Sequence, residues 1–109
     1  MMSNKGLSTL VAMVCLATAG AARAAPGPKE ACAALADRAG QAVGLKKQGQ
    51  SADQAVADLA SRPVPASVPA DQHGFYKSKL PGAVRFALMA GMSADGTVQF
   101  YLKQCLKGS

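Results

Sequence analysis

The chain has no tryptophan, a single histidine and only six acidic residues, and its aromatic content is 5% (Phe 3, Tyr 2). Each shortage removes a class of function. Without basic residues interleaved with stacking aromatics there is no nucleic-acid surface. With His73 alone, neither a histidine-based metal centre nor a His-dependent catalytic set can be assembled. Its neighbour Asp71 supplies a second candidate ligand, where a site needs three or four. There is no Cys-x-x-Cys for redox or zinc chemistry and no glycine-rich loop to cradle phosphate. Met89-x-x-Met92 is the one soft-metal pattern, and methionine at that spacing ordinarily fills core. Ser51 and Ser93 resemble nucleophiles by residue type only, since no base is placed beside them. These absences point to a protein that is not an enzyme and holds no metal or cofactor.

What is present begins with an export pattern. Lys5 precedes an uncharged run from Leu7 to Ala22, and Ala22-Arg23-Ala24 follows as a small-x-small cleavage site. That order predicts a signal peptide over residues 1–24. The run is too short and too rich in Ala and Gly for a membrane span, which takes about 20 strongly apolar residues. Cys15 lies inside it and leaves with it. Met13 and Val14, where a lipoprotein would carry small residues, argue against a lipid anchor. The remaining 25–109 is enough for one domain, monomeric and periplasmic or secreted, with no transmembrane segment. The mean hydropathy of +0.11 is inflated by the signal.

Two cysteines remain, Cys32 and Cys105, near opposite ends of this domain. In an oxidising compartment an isolated pair is expected to bridge. Closing so long a loop stabilises a fold by about 4 kcal/mol as an upper figure. A domain of this size buries only about 60–65% of its unfolded surface and profits from such a staple.

Loss of Lys5 and Arg23 takes the formal charge from +6 to +4, and the remainder is uneven. From 25 to 71, Lys29, Arg38, Lys46, Lys47 and Arg62 balance Glu30, Asp37, Asp53, Asp58 and Asp71. From 72 to 109, Lys77, Lys79, Arg85, Lys103 and Lys107 face Asp95 alone. Those five bases are the candidate contacts for an envelope protein or an anionic surface, set against the plainer reading of a solvated helix face.

The octet Gly49-Gln50-Ser51-Ala52-Asp53-Gln54-Ala55-Val56 recurs as Gly91-Met92-Ser93-Ala94-Asp95-Gly96-Thr97-Val98. Gly ends a helix in the left-handed region, Ser caps the next, and Asp suits the positive end of its dipole. The repeat predicts an all-α fold of four helices in two hairpins. Cys32, Leu35, Ala39, Ala42 and Val43 form the apolar face of the first helix. Gly40 and Gly44 within it offer room for another backbone. Ser51 and Gln54 form a capping box, Val56, Leu59 and Ala60 a second stripe, and Pro63 a stop. Residues 62–70 form a proline-stiffened connector. Asp71 caps a third helix carrying Tyr76, Leu80, Val84, Ala87 and Leu88, with a kink or break at Pro81-Gly82. Val98, Tyr101, Leu102, Cys105 and Leu106 face inward from the last. The alternative is α+β, because Val84-Phe86-Leu88 and Val98-Phe100-Leu102 alternate around Asp95-Gly96, a hairpin signal.

Cys32-x-x-Leu35-Ala36, Lys47-Gln48-Gly49-Gln50-Ser51 and Tyr101-Leu102-Lys103-Gln104-Cys105-Leu106 give the chain a resemblance to small exported two-cysteine helical proteins of Gram-negative bacteria, mostly uncharacterised. The resemblance implies a disulfide-tied helical fold and no activity. Periplasmic acid-stress chaperones and immunity proteins against secreted effectors share the general design without its motifs. The expectation is therefore a non-enzymatic exported envelope protein that binds a protein or anionic partner, with chaperone and immunity roles as alternatives.

Overall fold

The computed structural model describes residues 26–108. The expected signal peptide and Cys15 lie outside them. Four helices follow in order: α1 Lys29–Lys47, α2 Ala52–Ala60, α3 His73–Ala90 and α4 Ala94–Lys107, with a 3-10 turn Ala70–Gln72 ahead of α3. The all-α expectation holds. No strand occurs among the described residues, so the hairpin alternative for 84–102 is overturned: Val84, Phe86 and Leu88 lie in α3, and Val98, Phe100 and Leu102 in α4.

Both hinges are built as their sequence suggests. Gly49 (φ 94) and Gly91 (φ 69) take the left-handed turn that ends the preceding helix. Ser51 Oγ accepts from the Gln54 amide at 3.2 Å, and Gln54 Oε1 accepts from the Ser51 amide at 2.8 Å, a complete capping box. Ser93 Oγ accepts from the Gly96 amide at 3.0 Å. Glycine at 96, a poor residue inside a helix, sits here in the first turn, where the cap offsets its cost.

The centre of the molecule is α1, which packs against both α3 and α4, while α2 packs mainly on α3. Being covered on two sides, α1 buries more than the predicted face: Ala31, Ala34, Ala36 and Leu45 join Cys32, Leu35, Ala39, Ala42 and Val43. All five residues forecast for the face of α3 are buried, and Val68 of the connector joins them. In α2 the buried pair is Ala55 and Leu59, and Ala60 is exposed.

Small residues set the helix spacing. A Cβ on Gly40 would lie 2.6 Å from Val98 Cγ2 of α4, whereas one on Gly44 would meet nothing within 4 Å. Only the first glycine admits a neighbour. Cys32 and Cys105 form the disulfide, with Cα atoms 5.6 Å apart. Gly27 lies over it, its amide donating to the Cys105 carbonyl at 3.1 Å. A Cβ there would collide with that carbonyl oxygen and stand 2.6 Å from Cys32 Sγ.

Two local expectations are corrected. Asp71 is exposed within the 3-10 turn and caps nothing; α3 starts from Gln72 without a side-chain cap. The Gln72 side chain is used elsewhere. Its Oε1 accepts from the Ala31 amide at 2.9 Å, filling an orphan donor in the first turn of α1, where Pro28 has no cap to offer. Of the kink or break expected at Pro81-Gly82, the break does not occur: Pro81 lies inside a continuous α3. The ring forfeits one backbone bond, but Pro81 and Lys77, four residues earlier, are both exposed, so water can serve the freed carbonyl.

Candidate functional site

Because α3 and α4 both lean on α1, they touch each other little, and a cleft opens between them where Phe75 and Lys79 face Tyr101, Gln104 and Cys105. The aromatic residues collect there. Phe86 of α3 stacks on Phe100 of α4 with ring centroids 5.6 Å apart, and Tyr101 tilts against Phe86 at 6.1 Å. Phe75, eleven residues before Phe86 and so about 20° away round the helix, lines a recess further along. That recess has a volume of about 190 Å³ and is walled by Gly27, Phe75, Lys79, Tyr101, Gln104 and Cys105. Every aromatic residue except Tyr76 therefore borders this side of the molecule. Phe100 remains 44% exposed and Leu106 38%, although the last helix was expected to bury Leu106. Burial pushes the Tyr101 phenol above its ordinary value.

A second, open depression adjoins the first along α4. Met92, Gly96, Phe100 and Lys103 border it, and Gln104 belongs to both. Lys79 Nζ stands 5.8 Å from the Phe75 ring centroid, within cation–π range. Lys103 thus edges one recess and Lys79 the other. Among the described residues no carboxylate lines either recess.

The five bases singled out from the sequence do not form one patch. Lys79 and Lys103 border the recesses, and Lys107 follows Phe100 by two turns, about 20° away on the α4 surface. Arg85 instead pairs with Asp53 of α2 at 3.0 Å. Lys77 sits about 160° from Lys79 round α3 and about 80° from Arg85, hence on the flank that meets α2. The sequence reading missed the aromatic component. Its signal was present as large apolar residues left over from the buried stripes: Phe75, Phe86 and Phe100 fit none of them.

Other chemistry-bearing residues are engaged structurally. His73 Nε2 hydrogen-bonds with the Val68 carbonyl at 3.1 Å, which holds the connector. Ser51 and Ser93 are helix caps. Met89, 84% exposed, fills no core. Among the described residues no three of His, Cys, Asp or Glu gather as a metal site would require.

A polar network joins α1, α2 and the connector. Arg38 donates from Nε to Tyr76 Oη at 2.9 Å, from Nη1 to Gln41 Oε1 at 3.0 Å and from Nη2 to the Pro63 carbonyl at 3.2 Å. Arg62 donates to the same Gln41 oxygen at 3.1 Å and pairs with Asp58 at 2.9 Å. Hydrogen bonds from Gln50 and then Arg62 hold the Asp58 carboxyl below its ordinary range, and one from Gln72 does the same for Glu30. Both arginine forks are thus taken up in fastening the connector. Among the described residues no helix is long and apolar enough to cross a membrane. The chain matches no protein-family model, no curated protein and no solved structure.

Proposed function

We propose that this is an exported, non-enzymatic binding protein of the bacterial cell envelope, periplasmic or secreted, that engages a protein or anionic partner through its second half. The observation that carries the reading is the α3–α4 cleft: aromatic walls left partly open, bases at the rim, and no acid lining it among the described residues. Monomeric folded domains rarely leave their few large apolar residues together at the surface unless something covers them. Export is supported by the order of charge, apolar run and small-x-small site in residues 1–24, and by a disulfide that persists only in an oxidising compartment.

The test is capture from envelope extract at low and high salt by the wild-type domain and by a variant with Lys77, Lys79, Arg85, Lys103 and Lys107 changed to Gln. Capture that weakens with salt and fails in the variant supports the reading. Salt-insensitive capture, or capture unchanged in the variant, rejects it.

A second reading, a stress chaperone that opens in acid, draws on the acids. Glu30 is bonded to Gln72, Asp58 to Gln50 and Arg62, and Asp53 to Arg85. Protonating them loosens the start of α1 and both ends of α2, and leaves a cationic domain that repels itself. Equimolar protein that leaves client aggregation at about pH 2–3 unchanged would end this reading.

A further inference from the structure

We infer that the occupant of the α3–α4 cleft is an acidic amphipathic helical peptide segment of another protein, seated by apolar side chains in the recess between the two helices and in the adjoining depression on α4, and by carboxylates on Lys79, Lys103 and Lys107. This rests on the binding role proposed above and names its partner. Size is the first argument. The recess beside Phe75, about 190 Å³ and partly open to solvent, is close to the roughly 150 Å³ that accommodates one benzene. It suits one leucine or phenylalanine side chain, and the more open depression beside it, about 530 Å³, has room for a larger one. Position is the second. The recesses meet at Gln104 but open on different sides of α4, their lining residues centred about 120° apart round the helix. Each takes its own apolar side chain of an amphipathic segment.

Charge selects among occupants. A second copy docked through the same face would set Lys79, Lys103 and Lys107 against their own kind. A lipid surface calls for clusters of about four to eight bases, and this side of the molecule presents three, since Arg85 is turned to Asp53 and Lys77 to the far flank. Acidic side chains flanking the apolar anchors complement what is there. The Lys79 ammonium, already above the Phe75 ring, is placed to meet a carboxylate without leaving its aromatic neighbour.

The experiment uses the disulfide-bonded domain and a synthetic helical peptide with Leu at i, i+3, i+4 and i+7 and Glu at most other positions. Three comparison ligands accompany it: the same composition in scrambled order, a version with Lys for Glu, and phosphatidylglycerol vesicles. Binding is followed by amide chemical shifts and calorimetry. The patterned acidic peptide should bind saturably, at least about tenfold tighter than the scrambled or basic one. Phe100→Ala and Lys79→Glu should each weaken it about tenfold or more, with far-UV helicity and the disulfide intact, because both side chains lie at the surface. Equal binding of the scrambled peptide, indifference to Phe100→Ala, or vesicle binding stronger than peptide binding each overturns the inference. If anionic vesicles bind through the five bases while Phe100→Ala changes nothing, the anionic-partner reading survives and this one fails. If no acidic ligand binds at all, both fall.

Discussion

Gly40 and Gly44 lie four residues apart on the same helix, yet replacing them by alanine should move stability in opposite directions. In a helix interior alanine is better than glycine by about 1 kcal/mol. At Gly44, where an added Cβ meets nothing within 4 Å, that gain is realised in full, as a rise in Tm of about 4–8 °C for a domain of this size. At Gly40 the Cβ would stand 2.6 Å from Val98 Cγ2, and valine's stiff χ1 gives it little room to turn away. Overpacking of this kind costs about 1–3 kcal/mol, so after the propensity gain the net loss is about 1 kcal/mol, and the two variants differ by about 2 kcal/mol. Urea unfolding of the oxidised proteins, with equal m-values as the check on two-state behaviour, measures both. Val98→Ala combined with Gly40→Ala should recover stability relative to the sum of the single changes, with a coupling of about 0.5–3 kcal/mol. If Gly40→Ala stabilises as much as Gly44→Ala, α4 does not rest on α1 at this point and the packing described here is wrong.

Oxidised protein should be about 2 Da lighter than reduced protein, and Cys32→Ala with Cys105→Ala should cost up to about 4 kcal/mol of stability; two free thiols in protein purified without reductant would contradict the bridge. The Glu30 and Asp58 carboxyls are held below their ordinary values of 4.5 and 3.8, so their stabilisation is present above those values and is lost as pH falls through the lower folded ones; Asp58→Asn should flatten the acid limb of a stability–pH curve, and an unchanged limb would refute the assignment. The Tyr101 phenol is raised above 10.0 by burial, so its contribution is intact below that pH and declines as pH rises beyond it; Tyr101→Phe should remove that alkaline decline, and an identical curve would contradict it.

The parts of this fold legible in the sequence are those governed by neighbours in the chain. Gly49, Ser51 and Gln54, like Gly91 and Ser93, specify stop and start signals through bonds spanning three residues, and each forms as written. The stripe from Tyr76 to Leu88 follows from helical periodicity. What was hidden depends on distant partners. Gln72 caps α1 across 41 residues, and no local pattern announces that. Ala34 and Ala36 are buried because α1 has helices on two sides, a fact of assembly that a single amphipathic stripe cannot express. Gly40 and Gly44 are equivalent in sequence and differ only in what α4 brings to them. The cleft was half legible: Lys79, Lys103 and Lys107 stood out as charge, but Phe86 and Phe100 mimicked the alternation of a strand. Only the meeting of α3 and α4 makes them a surface.

The claim at the centre of this account is that the open aromatic cleft is a seat for apolar side chains carried on an acidic helix. Intermolecular nuclear Overhauser effects between leucine methyls of the patterned peptide and the rings of labelled protein test it most directly. The account predicts contacts to Phe75 and Tyr101 from one leucine and to Phe100 from another, with none to residues on the α2 flank beside Arg85. A saturated complex in which the leucine methyls touch none of these rings, or touch the α2 flank instead, would contradict it.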